Sequence, residues 1–393
     1  MDLFSKYKNP LLEEIRAENL YPYFHELQSR QAPEVVMEGK RIIMLGSNNY
    51  LGLTENQNVV NAGIAALQKY GSGCSGSRFL NGTLDLHKTL ERELAKFLGK
   101  EDCVTFSTGF QSNLGIISSL VGLGDYILND RENHASIYDA CKLSYAKVLR
   151  FRHSDMEDLE RQLQTIPETA GILIVTDGVF SMRGDICKLP EIVKLAKKYG
   201  AKVMVDDAHS LGVLGNGGRG TADYFGLTDE VDIIMNTFSK SLASLGGCMC
   251  ASKLVCDHVR HSSRPFIFSA SITPASCACA LAALHELENR PEMVKHLNEL
   301  GDYCREAFRK RGVPIVDCST PIVPIYTYTP KRTLKIGKRL FDEGVYVNPV
   351  IPPAAPDGEC LLRVTLMATH TKALIDEAAD IIAKVIANET ETN

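Results

Sequence analysis

Acidic, imidazole and amine side chains follow two consecutive short apolar runs in the second half of the chain. Asp206 and His209 come directly after the run 203–205, and Lys240 comes soon after the run 233–235. The carboxyl ends of neighbouring parallel strands meet at one edge of a sheet, so these groups are expected to lie together. A lysine at such an edge is costly to bury unless it is paired or neutralised as an imine. The pattern therefore predicts a lysine that forms a Schiff base.

Pyridoxal 5′-phosphate (PLP) is the cofactor whose chemical needs match these groups. Its pyridine nitrogen must stay protonated to store electrons, and Asp206 is the candidate carboxylate opposite that nitrogen. His209 is a candidate hydrogen-bond partner of the ring hydroxyl, while Thr237 and Ser239 are candidate phosphate ligands. We therefore predict PLP attached to Lys240.

A further phosphate ligand is predicted between a short apolar run and a helical pattern, where Thr108, Gly109 and Phe110 stand. Backbone N–H groups at the start of a helix favour anions, and a glycine permits their close approach. These three residues complete the cofactor site that the residue types alone suggest.

Other interpretations of single motifs remain at this point. An acid followed three residues later by histidine also fits a metal site or a surface turn, because that pattern is loose. The glycines of the segment 71–76 match a dinucleotide fingerprint, but a helical pattern precedes them where a strand is required. Twelve cysteines include no Cys-x-x-Cys pair, so we expect reduced thiols and no metal.

The surrounding pattern predicts elements that would position the site. Short apolar runs alternate with helical patterns from about residue 103 to 235, which favours βαβ units and a mostly parallel sheet covered by helices. Short strands near 322–326, 345–347 and 361–365 suggest a smaller α+β domain. The expected organisation is an N-terminal arm and strand pair (1–55), a large PLP-binding domain (56–275) and a small C-terminal domain (276–393).

Length and charge limit the class of protein. The 393 residues suggest more than one domain. A formal net charge of -5 argues against nucleic acid or anionic membrane as a general partner. No continuous apolar run opens the chain, so we expect neither a secretory signal nor an integral membrane segment, and a cytoplasmic location.

Several motifs in fixed order resemble those of the α-oxoamine synthase family of fold-type I PLP enzymes, over nearly the full chain. They are Gly46-Ser47-Asn48-Asn49-Tyr50-Leu51-Gly52, Gly71-Ser72-Gly73-Cys74-Ser75-Gly76-Ser77-Arg78, His134-Ala135-Ser136-Ile137, Asp177-Gly178-Val179-Phe180-Ser181-Met182, and the Asp206 and Lys240 segments. The resemblance implies an α/β fold with a mostly parallel, seven-stranded sheet, a smaller C-terminal α+β domain, and a homodimer with shared active sites.

The resemblance also implies roles for individual residues. His134 would stack on the cofactor ring and Ser181 would contact it, while Asn48 and Arg363 would face the amino-acid carboxylate. Two serines, Ser269 and Ser271, would reach the phosphate from a second subunit. A helix N-cap for His134 and a solvated strand position for Arg363 also stay open.

The implied reaction is the decarboxylative condensation of an amino acid with an acyl thioester, carried by coenzyme A or by an acyl carrier protein. Lys240 would then remove the Cα proton, with catalytic support from His134, Asp206 and His209. Segments around Ser239–Gly247 and 348–353 look most like the serine-using members, which make a sphingoid-base precursor.

One departure from the family pattern bears on the substrate. Arg183 stands where the family usually has an acidic residue, so cysteate, which carries a sulfonate, is an alternative amino acid. Arg183 pointing to solvent or pairing with a carboxylate would leave serine favoured. Condensation that uses glycine or alanine also stays open, as does PLP-dependent transamination on the same fold. An inactive partner subunit would lack the lysine.

Overall fold

The computed structural model describes residues 2–356 and 358–390. Thirteen strands, fourteen α-helices and four short 3-10 helices make up the regular structure of this part of the chain. The strands are β1 (Glu34–Met37), β2 (Lys40–Met44), β3 (Asp102–Phe106), β4 (Tyr126–Asp130), β5 (Lys147–Phe151), β6 (Ile172–Asp177), β7 (Lys202–Asp206), β8 (Ile233–Thr237), β9 (Gly247–Ala251), β10 (Ile322–Tyr328), β11 (Val345–Tyr346), β12 (Asn348–Val350) and β13 (Cys360–Thr365).

The helices range from one turn to five turns. They are α1 (Pro10–Ala17), α2 (Gln57–Tyr70), α3 (Asp85–Phe97), α4 (Gly109–Leu120), α5 (Ala135–Leu143), α6 (Met156–Leu163), α7 (Leu189–Tyr199), α8 (Thr221–Tyr224), α9 (Lys253–Ser262), α10 (Arg264–Ile267), α11 (Pro274–Asn289), α12 (Glu292–Lys310), α13 (Pro330–Asp342) and α14 (Lys372–Thr390). None of the described helices is long and apolar enough to cross a membrane.

The chain forms two compact units. One unit is the continuous segment Asn48–Glu299, and the other combines the residues up to Ser47 with those from Leu300 onward. The boundaries expected from the sequence, with domains at 1–55, 56–275 and 276–393, stay a prediction.

The unit Asn48–Glu299 is built on a seven-stranded sheet in the order β3-β9-β8-β7-β6-β4-β5. Strands β4 to β8 pair in parallel, as the alternation of apolar runs and helical patterns predicts. Strand β9 pairs antiparallel with both β3 and β8. The mostly parallel seven-stranded sheet of the predicted fold is confirmed.

One face of this sheet packs against helix α4. Val104, Met204 and Met235 belong to a continuous buried cluster with Ile116 and Ile117 of that helix. Because both faces of a parallel sheet are covered, its strands are apolar along most of their length, and polar groups concentrate where the strands end. The strand ends are therefore the place to look for chemistry.

The other unit contains two three-stranded sheets. Strands β1 and β2 form an antiparallel hairpin to which β11 adds in parallel, and β13 lies between β10 and β12 with antiparallel pairing. The hairpin matches the strand pair expected within residues 1–55. The second sheet contains strands at two of the expected positions, 322–326 and 361–365.

Candidate active site

A pocket of about 260 Å³ opens at the carboxyl ends of the parallel strands. Asp206 is the last residue of β7 and Thr237 the last of β8, and Lys240 follows three residues later. Fifteen residues line the pocket: Thr108, Gly109, Phe110, Asn113, His134, Ser136, Asp177, Val179, Asp206, Ala208, His209, Met235, Thr237, Ser239 and Lys240. Ligands of open α/β sheets bind at the carboxyl ends of the strands, and this pocket lies there.

Most of the residues predicted from the sequence come together in this pocket. The shared set is Thr108, Gly109, Phe110, His134, Asp206, His209, Thr237, Ser239 and Lys240. Among the described residues, the lining does not include Asn48, Ser181, Arg183, Ser269, Ser271 or Arg363. Arg363 belongs to the other compact unit.

The start of helix α4 forms one wall of the pocket. Thr108 is the N-cap, and its hydroxyl accepts a hydrogen bond from the backbone N–H of Gln111 at 3.1 Å. A Cβ atom at Gly109 would lie 2.6 Å from Oγ1 of Thr237, so only glycine allows the helix to begin this close to β8. The result is a helix N-terminus beside two hydroxyl groups, since Oγ1 of Thr237 lies 3.0 Å from Oγ of Ser239. Such an arrangement suits a phosphate group.

Asp206 is buried and held in one orientation. Its Oδ2 accepts a hydrogen bond of 2.7 Å from Nδ2 of Asn113, and its Oδ1 accepts one of 3.0 Å from the backbone N–H of Ala208. Hydrogen bonds of this kind stabilise the ionised form of a carboxyl group. A fixed anion in a pocket wall fits the protonated pyridine nitrogen of PLP.

His134 has two functions in the structure. It is the N-cap of α5, where Nδ1 accepts a hydrogen bond from the backbone N–H of Ser136, and it also lines the pocket. The ring of Phe110 meets the His134 ring edge-on at a centroid distance of 6.4 Å. Desolvation lowers the pKa of His134 and outweighs the negative charge of Asp206, so the neutral imidazole is favoured. A helix-cap role for His134 is thus compatible with a place in the site.

His209 is held by a residue that the sequence did not single out. The Tyr50 hydroxyl shares a hydrogen bond of 2.7 Å with Nδ1 of His209, and both residues are buried. Tyr50 belongs to the motif 46–52, which carries a family resemblance but gives no role to the tyrosine. No spacing rule connects it to His209, because 159 positions separate the two.

Asp177 is a second missed residue of the pocket. It ends β6, where the register places it beside Asp206, and its Oδ2 accepts a hydrogen bond from the His134 backbone N–H at 3.1 Å. Its Oδ1 is buried with no partner among the described residues. Desolvation, and then the charge of Asp206, raises the pKa of Asp177 well above its usual value. Asp177 could have been predicted from the sequence, because it follows an apolar run in the same way that Asp206 does, and ligands bind at the carboxyl ends of parallel strands.

Arg183 lies in a group of charged side chains after β6. Its Nε is 3.1 Å from Oε2 of Glu132, so the guanidinium pairs with a carboxylate, the arrangement that leaves serine favoured over cysteate. In the same group, Nδ1 of His153 is 3.0 Å from Asp130 and Nε2 is 2.9 Å from Asp185. Burial opposes the charge on His153, but the hydrogen bonds to Asp130 and Asp185 outweigh it and raise the pKa of His153 to about 10.

The remaining predicted residues occupy separate positions. Ser271 is half-buried, and its hydroxyl donates to the backbone carbonyl of Gly76 at 3.1 Å, while Ser269 lies two residues earlier. Asn48 has a buried Oδ1 without a partner in the described structure. Arg363, in β13, is buried rather than solvated, and its Nη1 donates to Oγ1 of Thr365 at 2.8 Å.

Two sequence motifs that suggested different chemistry have clear structural settings. The glycine-rich segment 71–76 follows helix α2 instead of a strand, which removes the context that a dinucleotide site requires. All twelve cysteines, each within the described residues, are free of disulfides. The thiols of Cys103, Cys248 and Cys250 lie within 4.8 Å of one another in the buried pairing of β3 with β9. The expectation of no metal stays a prediction.

The pocket residues fit PLP in three independent respects. A fixed carboxylate meets the need of the pyridine nitrogen, a helix start with two hydroxyls meets the need of the phosphate, and Lys240 offers an amine in the same cavity. The seven-stranded sheet with its site at the strand ends, together with this set of groups, defines a fold-type I PLP-dependent enzyme.

Comparison with known proteins gives the family. Residues 40–382 match the family described as aminotransferase class I and II, and the chain belongs to that family. Within it the chain belongs to the α-oxoamine synthase group. It is 52% identical over 377 residues to a serine palmitoyltransferase of Bacteroides thetaiotaomicron, with 96% of each chain covered. It is 43% identical to an 8-amino-7-oxononanoate synthase of Citrifermentans bemidjiense, with 95% and 96% covered.

A solved structure agrees with these sequence relatives. A serine palmitoyltransferase carrying PLP as an internal aldimine superimposes with a TM-score of 0.96 at 37% identity, and the match covers 99% of both chains. The predicted family, fold and cofactor are therefore confirmed, and the chain is a PLP-dependent acyltransferase.

Proposed function

We propose that this enzyme condenses L-serine with a long-chain acyl thioester to give a 3-oxo sphingoid-base precursor. The Cα proton of serine leaves, and a bond forms between Cα and the acyl carbonyl carbon as the thiol departs. The bond from Cα to the carboxylate then breaks with release of carbon dioxide, and a proton returns to Cα. The same balance holds whether the thiol is coenzyme A or an acyl carrier protein.

The observation that carries the proposal is the presence of Lys240 in one pocket with Asp206, His134 and His209. Fold and identity to serine palmitoyltransferases support the choice of reaction class, since four such relatives reach 46–52% identity. The synthases of 8-amino-7-oxononanoate reach 40–43% identity. Serine is therefore favoured over the amino acid that 8-amino-7-oxononanoate synthases use.

Four pocket residues would hold the cofactor. Asp206 would keep a proton on the pyridine nitrogen, His209 would bind the ring hydroxyl, and Thr237 with Ser239 would bind the phosphate at the start of α4. When bound, PLP supplies an electron sink that stabilises negative charge at the substrate Cα.

Lys240 would be the group that moves protons at the substrate Cα. Its amine is the attachment point of the cofactor, and once released it is a base of suitable reach in the same pocket. His134 would cover one face of the cofactor ring and exclude water from it. A neutral imidazole suits that position because it adds no positive charge to compete with the pyridine proton.

Residues outside the lining would bind the amino acid. The family resemblance assigns the amino-acid carboxylate to Asn48, whose buried amide oxygen has no partner among the described residues, and to Arg363, whose guanidinium is buried. Ser181 would contact the cofactor from the turn after β6. The pairing of Arg183 with Glu132 supports serine over cysteate, because a sulfonate would have to compete with a carboxylate already in place.

Two further parts of the proposal concern assembly and location. The enzyme would act as a homodimer in which Ser269 and Ser271 of each chain reach the phosphate in the other chain. We place it in the cytoplasm, where twelve reduced thiols are stable.

The proposal is tested by comparing turnover of serine, cysteate, glycine and alanine with one long-chain acyl-coenzyme A. We expect serine to give the highest kcat/KM and Lys240→Ala to give none with any amino acid. A higher kcat/KM for cysteate would make the enzyme a sulfonolipid synthase. Preference for alanine would place it with the 8-amino-7-oxononanoate synthases.

A further inference from the structure

A chain of hydrogen bonds connects Asp206 to His134 through two buried side chains. Nδ2 of Asn113 donates to Oδ2 of Asp206 at 2.7 Å and to Oγ of Ser136 at 2.8 Å. Oγ of Ser136 in turn lies 2.7 Å from Nδ1 of His134. Asn113 and Ser136 are each about 1% exposed, so water does not compete for these bonds.

The chemistry of Asp206 gives this chain a direction. An ionised carboxylate only accepts hydrogen bonds, so Asn113 must present its NH₂ group and not its oxygen. The same NH₂ group donates its second proton to the oxygen of Ser136. The hydroxyl proton of Ser136 is then directed to Nδ1 of His134. Oδ1 of Asn113 is buried and has no hydrogen-bond partner among the residues that the structure describes. If the amide were turned around, this oxygen would instead face an oxygen of Asp206 and be repelled by it.

The direction determines which nitrogen of His134 carries a proton. Nδ1 accepts from the Ser136 hydroxyl and also from the Ser136 backbone N–H at 3.3 Å. A nitrogen that accepts cannot carry a proton itself, so the neutral ring is protonated at Nε2. Both donors favour the neutral ring over the imidazolium, in the same direction as desolvation.

We propose that Asn113 and Ser136 are positioning residues that tie the ionised state of Asp206 to the neutral, Nε2-protonated form of His134. The inference rests on the proposed roles of Asp206 and His134 at the cofactor. It deepens them, because the anion that serves the pyridine nitrogen and the uncharged ring that covers the cofactor are set by one network. The sequence gives no role to Asn113, and it gives none to Ser136 although Ser136 stands in the His134 motif.

Other charged groups also act on His134 and must be kept constant. Asp206 at the end of β7 favours the imidazolium, while Lys240 after β8 disfavours it. Asp177 at the end of β6 accepts the His134 backbone N–H. A test of the network therefore leaves these three residues unchanged and replaces the two connecting side chains, Asn113 and Ser136, one at a time.

The test is a ¹⁵N NMR titration of histidine-labelled, PLP-loaded enzyme without substrate, with the His134 signals identified by their loss in His134→Gln. For the natural enzyme we expect one neutral tautomer, protonated at Nε2. In Ser136→Ala the backbone cap of α5 remains, so a purely structural role would leave the titration unchanged. If the network acts as proposed, the titration midpoint of His134 rises by about half to one pH unit, which is the equivalent of one hydrogen bond. A fraction of the neutral rings is then protonated at Nδ1.

Asn113→Ala gives an independent reading at the other end of the network. Loss of a hydrogen bond to an ionised carboxylate should weaken PLP binding by roughly tenfold or more. The matched control is Ser119→Ala, because within the described part of the chain the Ser119 hydroxyl bonds to carbonyl groups of its own helix α4 and to no pocket residue. We expect this variant to match the natural enzyme in both measurements.

An unchanged midpoint and tautomer of His134 in Ser136→Ala would overturn the proposal, whatever Asn113→Ala does to folding or PLP binding. The proposed function fails separately. The titration involves no substrate, so its result does not depend on which amino acid the enzyme uses. If the His134 midpoint shifts in Ser136→Ala but the enzyme does not turn over serine, the network is supported and serine condensation is rejected.

Discussion

Asp177 and Asp206 end neighbouring parallel strands and lie side by side in the strand register, yet their carboxyl groups have unlike surroundings. Asp206 accepts hydrogen bonds from Asn113 and Ala208, whereas Asp177 keeps one buried oxygen without a partner in the described structure. Desolvation and the nearby Asp206 charge raise the pKa of Asp177 well above its usual value. Two like residues at one sheet edge thus differ in what surrounds them: hydrogen bonds hold both oxygens of Asp206, whereas burial disfavours the charge on Asp177.

The first prediction separates these two carboxyl groups by the same substitution. Asp206→Asn removes the carboxylate that we propose as the partner of the pyridine nitrogen and should lower kcat/KM by at least about a hundredfold. Asp177→Asn keeps the size of the side chain at a position where burial disfavours the charged carboxylate, so it should change kcat/KM by less than about fivefold. Steady-state kinetics with serine and acyl-coenzyme A measure both.

Asp177→Asn also has an expected effect on stability. A carboxyl group whose pKa is raised on folding destabilises the native state as the pH rises above the ordinary carboxyl pKa. The variant should therefore gain stability relative to the natural enzyme between about pH 4 and 7, as followed by urea unfolding. Equal losses of activity in the two variants, or a constant stability difference, would contradict the assignment.

The second prediction concerns the hydrogen bond between Tyr50 and His209. Tyr50→Phe keeps the buried ring but removes the hydroxyl that lies 2.7 Å from Nδ1 of His209. His209 then loses an orienting partner, so PLP should dissociate about five- to tenfold faster with little change in unfolding temperature. Tyr199→Phe is the control, because its hydroxyl contacts Glu160 outside the pocket. Equal PLP release rates in the two variants would argue against a positioning role for Tyr50.

The third prediction concerns Arg183 and the choice of amino acid. Since Nε of Arg183 is engaged by Glu132, Arg183→Ala should change the ratio of kcat/KM for serine to that for cysteate by less than about threefold. Arg150→Ala, at an exposed position, serves as control. A selective loss of cysteate turnover of about tenfold or more would show that Arg183 binds the sulfonate, and would restore cysteate as a substrate.

The fourth prediction uses the pH dependence of His153. Its pKa is raised to about 10 by folding, so the imidazolium stabilises the native state fully below the ordinary histidine pKa. This stabilisation should disappear as the pH rises toward 10. His153→Gln should therefore destabilise the enzyme by a few kcal/mol at about pH 6 and by much less at about pH 10, in urea unfolding. His296→Gln, an exposed variant, is expected to show no such trend.

Much of the large sheet was predictable because parallel strands buried on both faces leave continuous apolar runs. The apolar runs 203–205 and 233–235 became β7 and β8, with boundaries shifted by at most two residues. Strand β9 was missed. Its sequence Gly247-Cys248-Met249-Cys250-Ala251 contains neither a β-branched nor an aromatic residue, so local propensity gives no strand signal.

The pocket residues that we propose as cofactor ligands were predictable from the sequence, whereas the residues that hold them were not. Lys240, Asp206 and His209 stand directly at strand ends, where polar residues in an apolar pattern are conspicuous. Asn113 and Tyr50 act through contacts with residues 93 and 159 positions away, and only the folded chain brings such pairs together. Local sequence carries no information about contacts of that range.

If this enzyme joins serine to an acyl thioester through Lys240, three products must form together. They can be measured by incubating the PLP-loaded enzyme with carboxyl-labelled serine and a long-chain acyl-coenzyme A and by quantifying carbon dioxide, released thiol and amino ketone in the same sample. We expect equal amounts of all three, and none with Lys240→Ala. Formation of an oxo acid from serine without release of thiol or carbon dioxide would contradict it and identify a transaminase.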